Sequence, residues 1–244
     1  MSFLEVREVS VRFGGHMAVD RANLDVEAGA ITGLIGPNGA GKTTLFNVIT
    51  GLQAITQGRV MLDGADITRA AAHQRARAGI ARTFQRLELF GSMSVFDNIL
   101  VAAEMHRSGV QGPREATAAI VEGVGLGDLA DQRADSLSTG NARLVELGRA
   151  LACRPRVLLL DEPASGLDDT ETEAFATILR SLTSQGLAIL LVEHDVPLVM
   201  SLCSSITVLN FGAVIACGTP EEVQNDPAVI DAYLGQGTES GVHA

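Results

Sequence analysis

The sequence lacks several features, and each absence excludes a class of protein. No run of about 18 apolar residues occurs, so we expect no membrane-spanning helix. The N-terminus has no basic segment followed by an apolar one, so we expect no export signal and a cytoplasmic protein. The cysteines, Cys153, Cys203 and Cys217, are odd in number and lack metal-ligand spacing. They predict reduced thiols packed as small apolar side chains rather than a disulfide framework or a metal site.

Positive charge is also scarce. The chain has 18 basic residues against 29 acidic ones, a net charge of −11. Such a charge repels a phosphate backbone, so nucleic acid is not expected as the main partner. Lysine occurs only once, as Lys42, and every other basic residue is arginine. This usage indicates that Lys42 stands where a compact ammonium fits and a broad guanidinium does not.

The hydrophobic content is ample, at 46% of 244 residues, and can fill the core of one sizeable α/β domain. The first thirty residues alternate apolar and polar side chains, which predicts half-exposed antiparallel strands. Residues 31–35, 157–160 and 188–192 are almost wholly apolar, which predicts central strands of a parallel sheet covered on both faces. Helical patterns dominate residues 96–153. The sequence therefore predicts an α/β fold with a mostly parallel sheet core, an N-terminal antiparallel β subdomain and an inserted helical subdomain.

No internal repeat or low-complexity linker divides the chain, which favours a single domain over residues 1–235. Within it, we expect residues 1–84 and 154–235 to form the sheet core and residues 85–153 the helical subdomain. Residues 236–244 are expected to form a flexible tail.

Each of the three apolar runs ends in glycine or polar residues. The first is followed by residues 36–43, the second by Asp161 and Glu162, and the third by Glu193, His194 and Asp195. Ligands of open α/β sheets bind beyond the carboxyl ends of the strands. Three separate segments therefore predict one common site.

Residues 36–43 have the pattern of a phosphate-binding loop, Gly-x4-Gly-Lys-Thr, between a buried strand and a helical segment. Glycines let successive N–H groups point inward, and the helix N-terminus adds a partial positive charge. Lys42 would bind the β- and γ-phosphates of ATP, and Thr43 would supply a hydroxyl to Mg²⁺. The alternative is a tight turn that merely needs glycine. The predicted nucleotide-binding residues here are Gly36, Pro37, Asn38, Gly39, Ala40, Gly41, Lys42, Thr43 and Thr44.

The other two strand ends supply the groups that hydrolysis needs. Asp161 is suited to hold Mg²⁺ through water, and Glu162 to orient and deprotonate the attacking water. The alternative for this pair is that they cap the next turn. His194 would donate a hydrogen bond to the γ-phosphate, the alternative being an ordinary packed or solvated histidine. Together these residues predict an ATPase.

With these residues in place, the chain resembles the nucleotide-binding subunits of ABC transporters over nearly its full length, and hence the P-loop NTPase (RecA-like) fold. Six motifs carry the resemblance, in the family's order. They are the Walker A loop at 36–43, the Q-loop Gln85, a signature at 137–141, the Walker B strand at 157–161 with Glu162, the D-loop at 165–168 and the switch histidine His194.

The resemblance implies that two chains sandwich two ATP molecules head to tail. Ser138 and Gly140 precede a helical stretch, so they offer a second phosphate-binding helix N-terminus to the opposite subunit. The signature departs from Leu-Ser-Gly-Gly-Gln at Thr139 and Asn141, which leaves ATP affinity in the closed dimer open. Further roles implied by the resemblance are catalysis and metal binding by Gln85, nucleotide contact by Asp168, and stacking on adenine by Phe13.

A finer resemblance, at residues 81–87, 192–200 and 218–235, is to branched-chain amino acid importer ATPases of the LivG type. It implies integral-membrane permease subunits, a second ATPase subunit that is identical or different, and an indirect link to a substrate-binding protein. It also implies a place on the cytoplasmic face of the cell membrane. Related members serve other amino acids, urea or amides, and lipopolysaccharide-exporting ATPases are close in sequence, so the substrate stays open.

Two other classes share part of the pattern. Chromosome-organising and DNA-repair ATPases insert long coiled coils between the Q-loop and the signature, whereas the segment between Gln85 and Ser138 is short and lacks sustained heptads. These ATPases also bind nucleic acid, which the acidic net charge of this chain disfavours. A soluble phosphotransferase such as a nucleotide kinase would explain the phosphate loop but would leave the signature and His194 idle.

Coupling to a membrane subunit is expected at residues 85–96. The apolar Leu87, Leu89 and Phe90 are candidates to receive a short helix from the permease. The alternative is that these three side chains belong to the ordinary core.

Overall fold

The computed structural model describes residues 2–106 and 112–234, and they contain two β-sheets. The smaller sheet is antiparallel, with the order β2-β1-β4-β5. Its strands are β1 (Ser2–Phe13), β2 (His16–Glu27), β4 (Gln57–Leu62) and β5 (Ala65–Asp66). Buried and exposed residues alternate along the end of β2, because every second side chain faces the core. The prediction of half-exposed antiparallel strands at the N-terminus is confirmed.

The larger sheet has six strands in the order β10-β9-β3-β8-β7-β6. All neighbours pair in parallel except the β9–β10 hairpin. Every residue of β3, β7 and β8 is buried, as predicted for central strands. The strands are β3 (Ile31–Ile35), β6 (Ile80–Arg82), β7 (Val157–Asp161), β8 (Ala188–Val192), β9 (Ser205–Asn210) and β10 (Ala213–Gly218).

Helices fill the connections. Three of them, α3, α4 and α5, pack against one another in the stretch between β6 and β7 where helical patterns dominate the sequence. The helices are α1 (Lys42–Thr50), α2 (Ala72–Arg77), α3 (Val95–Met105), α4 (Pro113–Gly123), α5 (Thr139–Ala152), α6 (Asp169–Ser184), α7 (Val196–Leu202), α8 (Pro220–Gln224) and α9 (Pro227–Leu234). The division at residues 84 and 153 stays a prediction, and the predicted tail, 236–244, lies outside the described residues.

The core consists of two clusters, one on each face of the parallel sheet. Along β7, Leu158 and Leu160 join the cluster that contains α3 and α5, whereas Val157 and Leu159 join the cluster beneath the antiparallel sheet and α1. The split follows from the pleat, which sends successive side chains to opposite faces. Each buried leucine contributes about 1.5–3 kcal/mol. The strands are thus held on both faces, and their carboxyl ends are fixed in position.

The cysteine prediction is only partly right. All three thiols are free, and burial raises the pKa of Cys203 to about 12. Cys153 is half-buried, but Cys217 is exposed, so the expectation of packing is wrong for that residue. Cys217 lies on β10, the edge strand of the sheet, none of whose residues is fully buried. No helix among the described residues is long and apolar enough to cross a membrane.

Candidate active site

The loop between β3 and α1 is shaped by glycine. Gly36 has φ 150° and Gly41 has φ 105°, backbone conformations that other residues rarely adopt. A Cβ atom at Gly36 would lie 2.0 Å from the carbonyl oxygen of Leu209, and one at Gly41 would lie 2.6 Å from that of Ala18. Gly41 also supplies no side chain to cap α1, so the first N–H groups of that helix remain available to an anion. The loop is therefore built for a phosphate and held against β9 and β2.

Lys42, the single lysine, is the first residue of α1 and is only 8% exposed. Its Nζ donates to the carbonyl oxygens of Gly36 and Pro37, at 2.6 Å and 2.9 Å. Burial lowers the pKa of Lys42, and the nearby charges of Glu162 and Asp161 oppose that shift. The ammonium thus lies under the loop, among groups that phosphate oxygens can replace as hydrogen-bond acceptors.

Glu162 follows β7 with φ 51°, a sparsely populated conformation for a residue with a side chain. Its N–H donates to the carbonyl of Val192 at 2.8 Å, which ties this turn to the end of β8. The carboxylate accepts a bond from Gln85 Nε2 at 2.7 Å and lies 2.5 Å from His194 Nε2. Because an ionised carboxylate only accepts, the second contact places a hydrogen on Nε2. Three predicted catalytic residues therefore meet at one carboxylate.

Asp161 has a partner that we did not predict from the sequence. Its Oδ2 accepts a bond from Arg82 Nη2 at 2.7 Å, and both side chains are 8% exposed. Removing one partner of an ion pair this buried leaves an uncompensated charge, so separating the two side chains is costly. Asp161 is therefore oriented by Arg82 from the side of β6.

A cleft beside the loop brings most of the predicted residues together. Phe13 is 49% exposed at the end of β1 and faces this cleft instead of packing in the core. The predicted residues that line the cleft are Phe13, Asn38, Gly39, Ala40, Gly41, Lys42, Thr43, Thr44, Gln85, Glu162 and His194. Gly36 and Pro37, the first two residues of the loop, are buried and do not line the cleft.

The remaining predicted residues lie elsewhere. Ser138 is the N-cap of α5 and accepts from the N–H of Asn141 at 3.2 Å. We expected Gly140 to precede this helix, but it lies in the first turn, because the capping bond starts the helix at Thr139. Asp168 caps α6 by accepting from the N–H of Glu171 at 2.8 Å. Ser138, Gly140, Asp161 and Asp168 are not among the described residues that line the cleft, although Asp161 directly precedes Glu162, which does.

Two further charged residues support the site and were missed. Glu193 is buried, and its carboxylate accepts from the N–H groups of Ala164, at 2.7 Å, and His194, at 3.1 Å. Burial raises the pKa of Glu193. Arg143 on α5 donates to the carbonyl of Gln85 at 3.0 Å. A charged residue directly after a buried strand, or on the apolar face of a helix, is the sequence signal that would have identified them.

The three apolar residues near Gln85 that we proposed for coupling differ in their exposure. Leu89 is half-buried and packs against the main core, Leu87 is half-buried, and Phe90 is 46% exposed. Beside them runs a mostly apolar groove between the sheet and the helices α3 and α5. Its most exposed apolar side chains are Leu52, Phe84 and Met105, at 59%, 48% and 78%.

Two protein-family models match the chain. The family model described as ABC transporter matches residues 19–165, and the model described as branched-chain amino acid ATP-binding cassette transporter matches residues 213–239.

Two curated relatives and one solved structure illustrate the similarity. The chain is 41% identical to the high-affinity branched-chain amino acid transport ATP-binding protein BraF of Pseudomonas aeruginosa, over 96% of this chain and 98% of the relative. It is 38% identical to the corresponding protein LivG of Escherichia coli K12, with the same coverage. A crystal structure of the ADP conformation of an ATP-binding cassette of an ABC transporter superposes with a TM-score of 0.87 at 31% identity, covering 96% of this chain and 99% of the other.

Proposed function

The chain belongs to the ABC transporter family, and from this we propose that it hydrolyses ATP to power a membrane importer of branched-chain or other amino acids. The observation that carries the proposal is the meeting of Gln85, Glu162 and His194 at one carboxylate, in the cleft that also holds Lys42. The family and the relatives' names support ATP hydrolysis linked to transport.

The residues of the cleft divide the work of hydrolysis. Lys42 and the free N–H groups of α1 bind the β- and γ-phosphates, for which Lys42 leaves the loop carbonyls. Glu162 orients and deprotonates the attacking water. His194 turns its Nε2–H from Glu162 to the γ-phosphate, and thereby frees the carboxylate for that water. Phe13 stacks on the adenine ring.

Residues of the cleft, together with Asp161 at the adjoining end of β7, fit Mg²⁺ as a companion of ATP. Thr43 offers a hydroxyl, Gln85 an amide oxygen and Asp161 a carboxylate, and these are the hard oxygen donors that Mg²⁺ prefers. No cluster of three His, Cys, Asp or Glu among the described residues forms a metal site of its own, which suits an ion bound mainly through substrate phosphates and water. When bound, the ion neutralises charge on the β- and γ-phosphates.

A second ATPase subunit completes the site. Ser138 and Gly140 begin α5 away from the cleft, and Asp168 begins α6, so in one chain these helix N-termini have no phosphate to bind. In a head-to-tail dimer, the start of α5 closes over the ATP bound by the other chain. The second subunit is an identical or a different ATPase chain.

The transport path belongs to permease subunits, with which a substrate-binding protein works. We assign their docking surface to the groove of Leu52, Phe84 and Met105, because its exposed apolar side chains suit a short apolar helix. The ATPase then sits on the cytoplasmic face of the cell membrane. Copurification of the chain from membranes with a permease, followed by leucine uptake in vesicles, tests the proposal. ATP-driven uptake of urea instead, or export of lipid, would contradict the amino acid assignment.

Acylation of amines should modify Lys42 slowly, and Mg-ATP should protect it. The chain has only this lysine besides the α-amino group, and burial, which lowers its pKa, also limits access. Peptide mass spectrometry after limited acetylation measures the label at Lys42 with and without Mg-ATP, and the α-amino group is the internal control. Equal labelling of Lys42 in both samples would contradict its contact with phosphate.

Replacement of Met105 by Asp should uncouple transport from hydrolysis. Met105 is 78% exposed in the groove, so a charge there blocks an apolar helix without disturbing the core. We expect leucine uptake to fall at least about tenfold while basal ATPase activity persists. Ile230→Asp, at an exposed apolar position on α9, is the matched control. The Leu89→Asp variant is less informative, because Leu89 packs against the core. Unchanged uptake in Met105→Asp would refute the docking surface.

A further inference from the structure

Arg82 lies between the groove and the catalytic cleft. It ends β6, its side chain is 8% exposed, and its guanidinium lies 5.3 Å and 5.1 Å from the ring centroids of Phe46 and Phe84. Phe46 belongs to α1 and is fully buried, whereas Phe84 is 48% exposed and lines the groove. The guanidinium therefore contacts one fixed ring and one ring that a partner can reach.

The N–H groups of the same guanidinium bind two side chains next to the nucleotide site. Nη1 donates to Asn47 Oδ1 at 2.6 Å, and Nη2 donates to Asp161 Oδ2 at 2.7 Å. Nε is buried and bonds to no atom of the described residues. Arg82 thus joins α1, which begins with Lys42, to the end of β7. The planar fork fixes both acceptors in one plane, and lysine cannot reproduce this.

This arrangement leaves Asp161 little freedom. Oδ2 is committed to Arg82, so the orientation of the other carboxylate oxygen follows the position of the guanidinium. That position is in turn set by Asn47 and the two rings. A shift of Phe84 therefore reaches the carboxylate through a single side chain.

We propose that Arg82 is a positioning residue that links the groove to the Asp161 carboxylate, with Phe84 as the contact on the groove side. The inference rests on the proposed role of Asp161 toward Mg²⁺. A permease helix that presses on Phe84 changes how well Asp161 serves bound Mg-ATP. By linkage, the binding of Mg-ATP changes the environment of Phe84 by the same coupling free energy.

The first test separates the effect of the metal from that of the nucleotide. Affinity for a fluorescent ATP analogue is measured once in EDTA and once with Mg²⁺, and the ratio gives the gain from the metal. We expect Arg82→Gln to reduce that gain at least about tenfold and Phe84→Ala severalfold, with affinity in EDTA unchanged. Arg82→Lys, which keeps the charge but not the fork, should fall between wild type and Arg82→Gln.

Phe90→Ala is the matched control. Phe90 is 46% exposed, and the Arg149 guanidinium lies 5.0 Å from the centroid of its ring. Arg149 donates to the carbonyl of Glu88 and, within the described part of the chain, has no hydrogen bond to a residue that lines the cleft. The Phe90→Ala variant should keep the full gain. If Arg82→Gln does not fold, the comparison of Phe84→Ala with Phe90→Ala decides, since both side chains are half exposed.

The second test uses the absence of tryptophan from the sequence. Phe84→Trp, combined with Glu162→Gln to prevent hydrolysis, places one indole on Arg82. Mg²⁺ added to the ATP complex should shift the emission of this indole. The same variant that also carries Arg82→Gln should show no shift. Phe90→Trp should show none.

The outcomes separate the two levels of inference. A wild-type affinity that does not depend on Mg²⁺ overturns the role of Asp161, and the link with it. The link alone is overturned if wild type shows the gain from Mg²⁺ and both Arg82→Gln and Phe84→Ala keep it. It is also overturned if these variants lower ATP affinity equally with and without the metal. An emission shift of Phe84→Trp that persists in the Arg82→Gln background also overturns the link.

Discussion

Replacing Glu162 by Gln is expected to lower the rate of ATP hydrolysis at least about 100-fold while ATP binding persists, because the amide cannot accept a proton from the attacking water. The substitution preserves size and keeps an oxygen to accept from Gln85, so the cleft retains its shape. Turnover is measured by phosphate release and binding by equilibrium titration with ATP. Glu173→Gln, which removes an exposed carboxylate on α6, is the control and should hydrolyse ATP at the normal rate.

The same variant tests the assignment of the base. Glu162 is the carboxylate on which Gln85 and His194 converge, and its backbone adopts φ 51°. Turnover within a few fold of wild type would mean that another group accepts the proton, and the role proposed for Glu162 would be wrong.

Mixing two inactive variants is expected to restore about a quarter of the wild-type ATPase activity. Lys42→Ala removes the phosphate contact of the cleft, and Ser138→Arg blocks the start of α5. Each variant alone should be nearly inactive, because every site in its dimers lacks one half. With equal amounts and random pairing, about half of the dimers are mixed, and each mixed dimer has one intact site of two.

A second mixture is the matched control. Lys42 and Glu162 lie in the same cleft of one chain. Lys42→Ala mixed with Glu162→Gln therefore gives dimers in which both sites are defective, and no activity should return. Recovery in both mixtures, or in neither, would contradict the head-to-tail arrangement. ATPase assays at constant total protein after exchange of subunits provide the measurement.

The strands and the phosphate loop were predictable because their signals are local. Wholly apolar runs at 31–35, 157–160 and 188–192 can be satisfied only by burial on both faces, and β3, β7 and β8 are buried at every residue. The glycines of the loop likewise reflect a backbone that only glycine adopts, as Gly36 and Gly41 do. Short-range pattern and backbone sterics are sufficient for such features.

The pairing of side chains inside the site was not predictable, because it joins residues that are distant in sequence. Arg82 meets Asp161 across 79 positions, and Gln85 meets Glu162 across 77. Nothing near Arg82 in the sequence indicates its partner, since that contact depends on β6 lying beside β7. The same holds for Leu89, which packs against a core cluster built from several elements that are distant in sequence.

The packing of the phosphate-binding loop, residues 36–43, affects the thermodynamics of nucleotide binding. Gly36 and Gly41 press against the Leu209 and Ala18 carbonyls, and Lys42 bonds to the carbonyls of Gly36 and Pro37. The conformational entropy of this segment is thus lost when the chain folds and not when the ligand arrives. Binding exchanges two carbonyl acceptors of Lys42 for phosphate oxygens on a backbone that is already ordered.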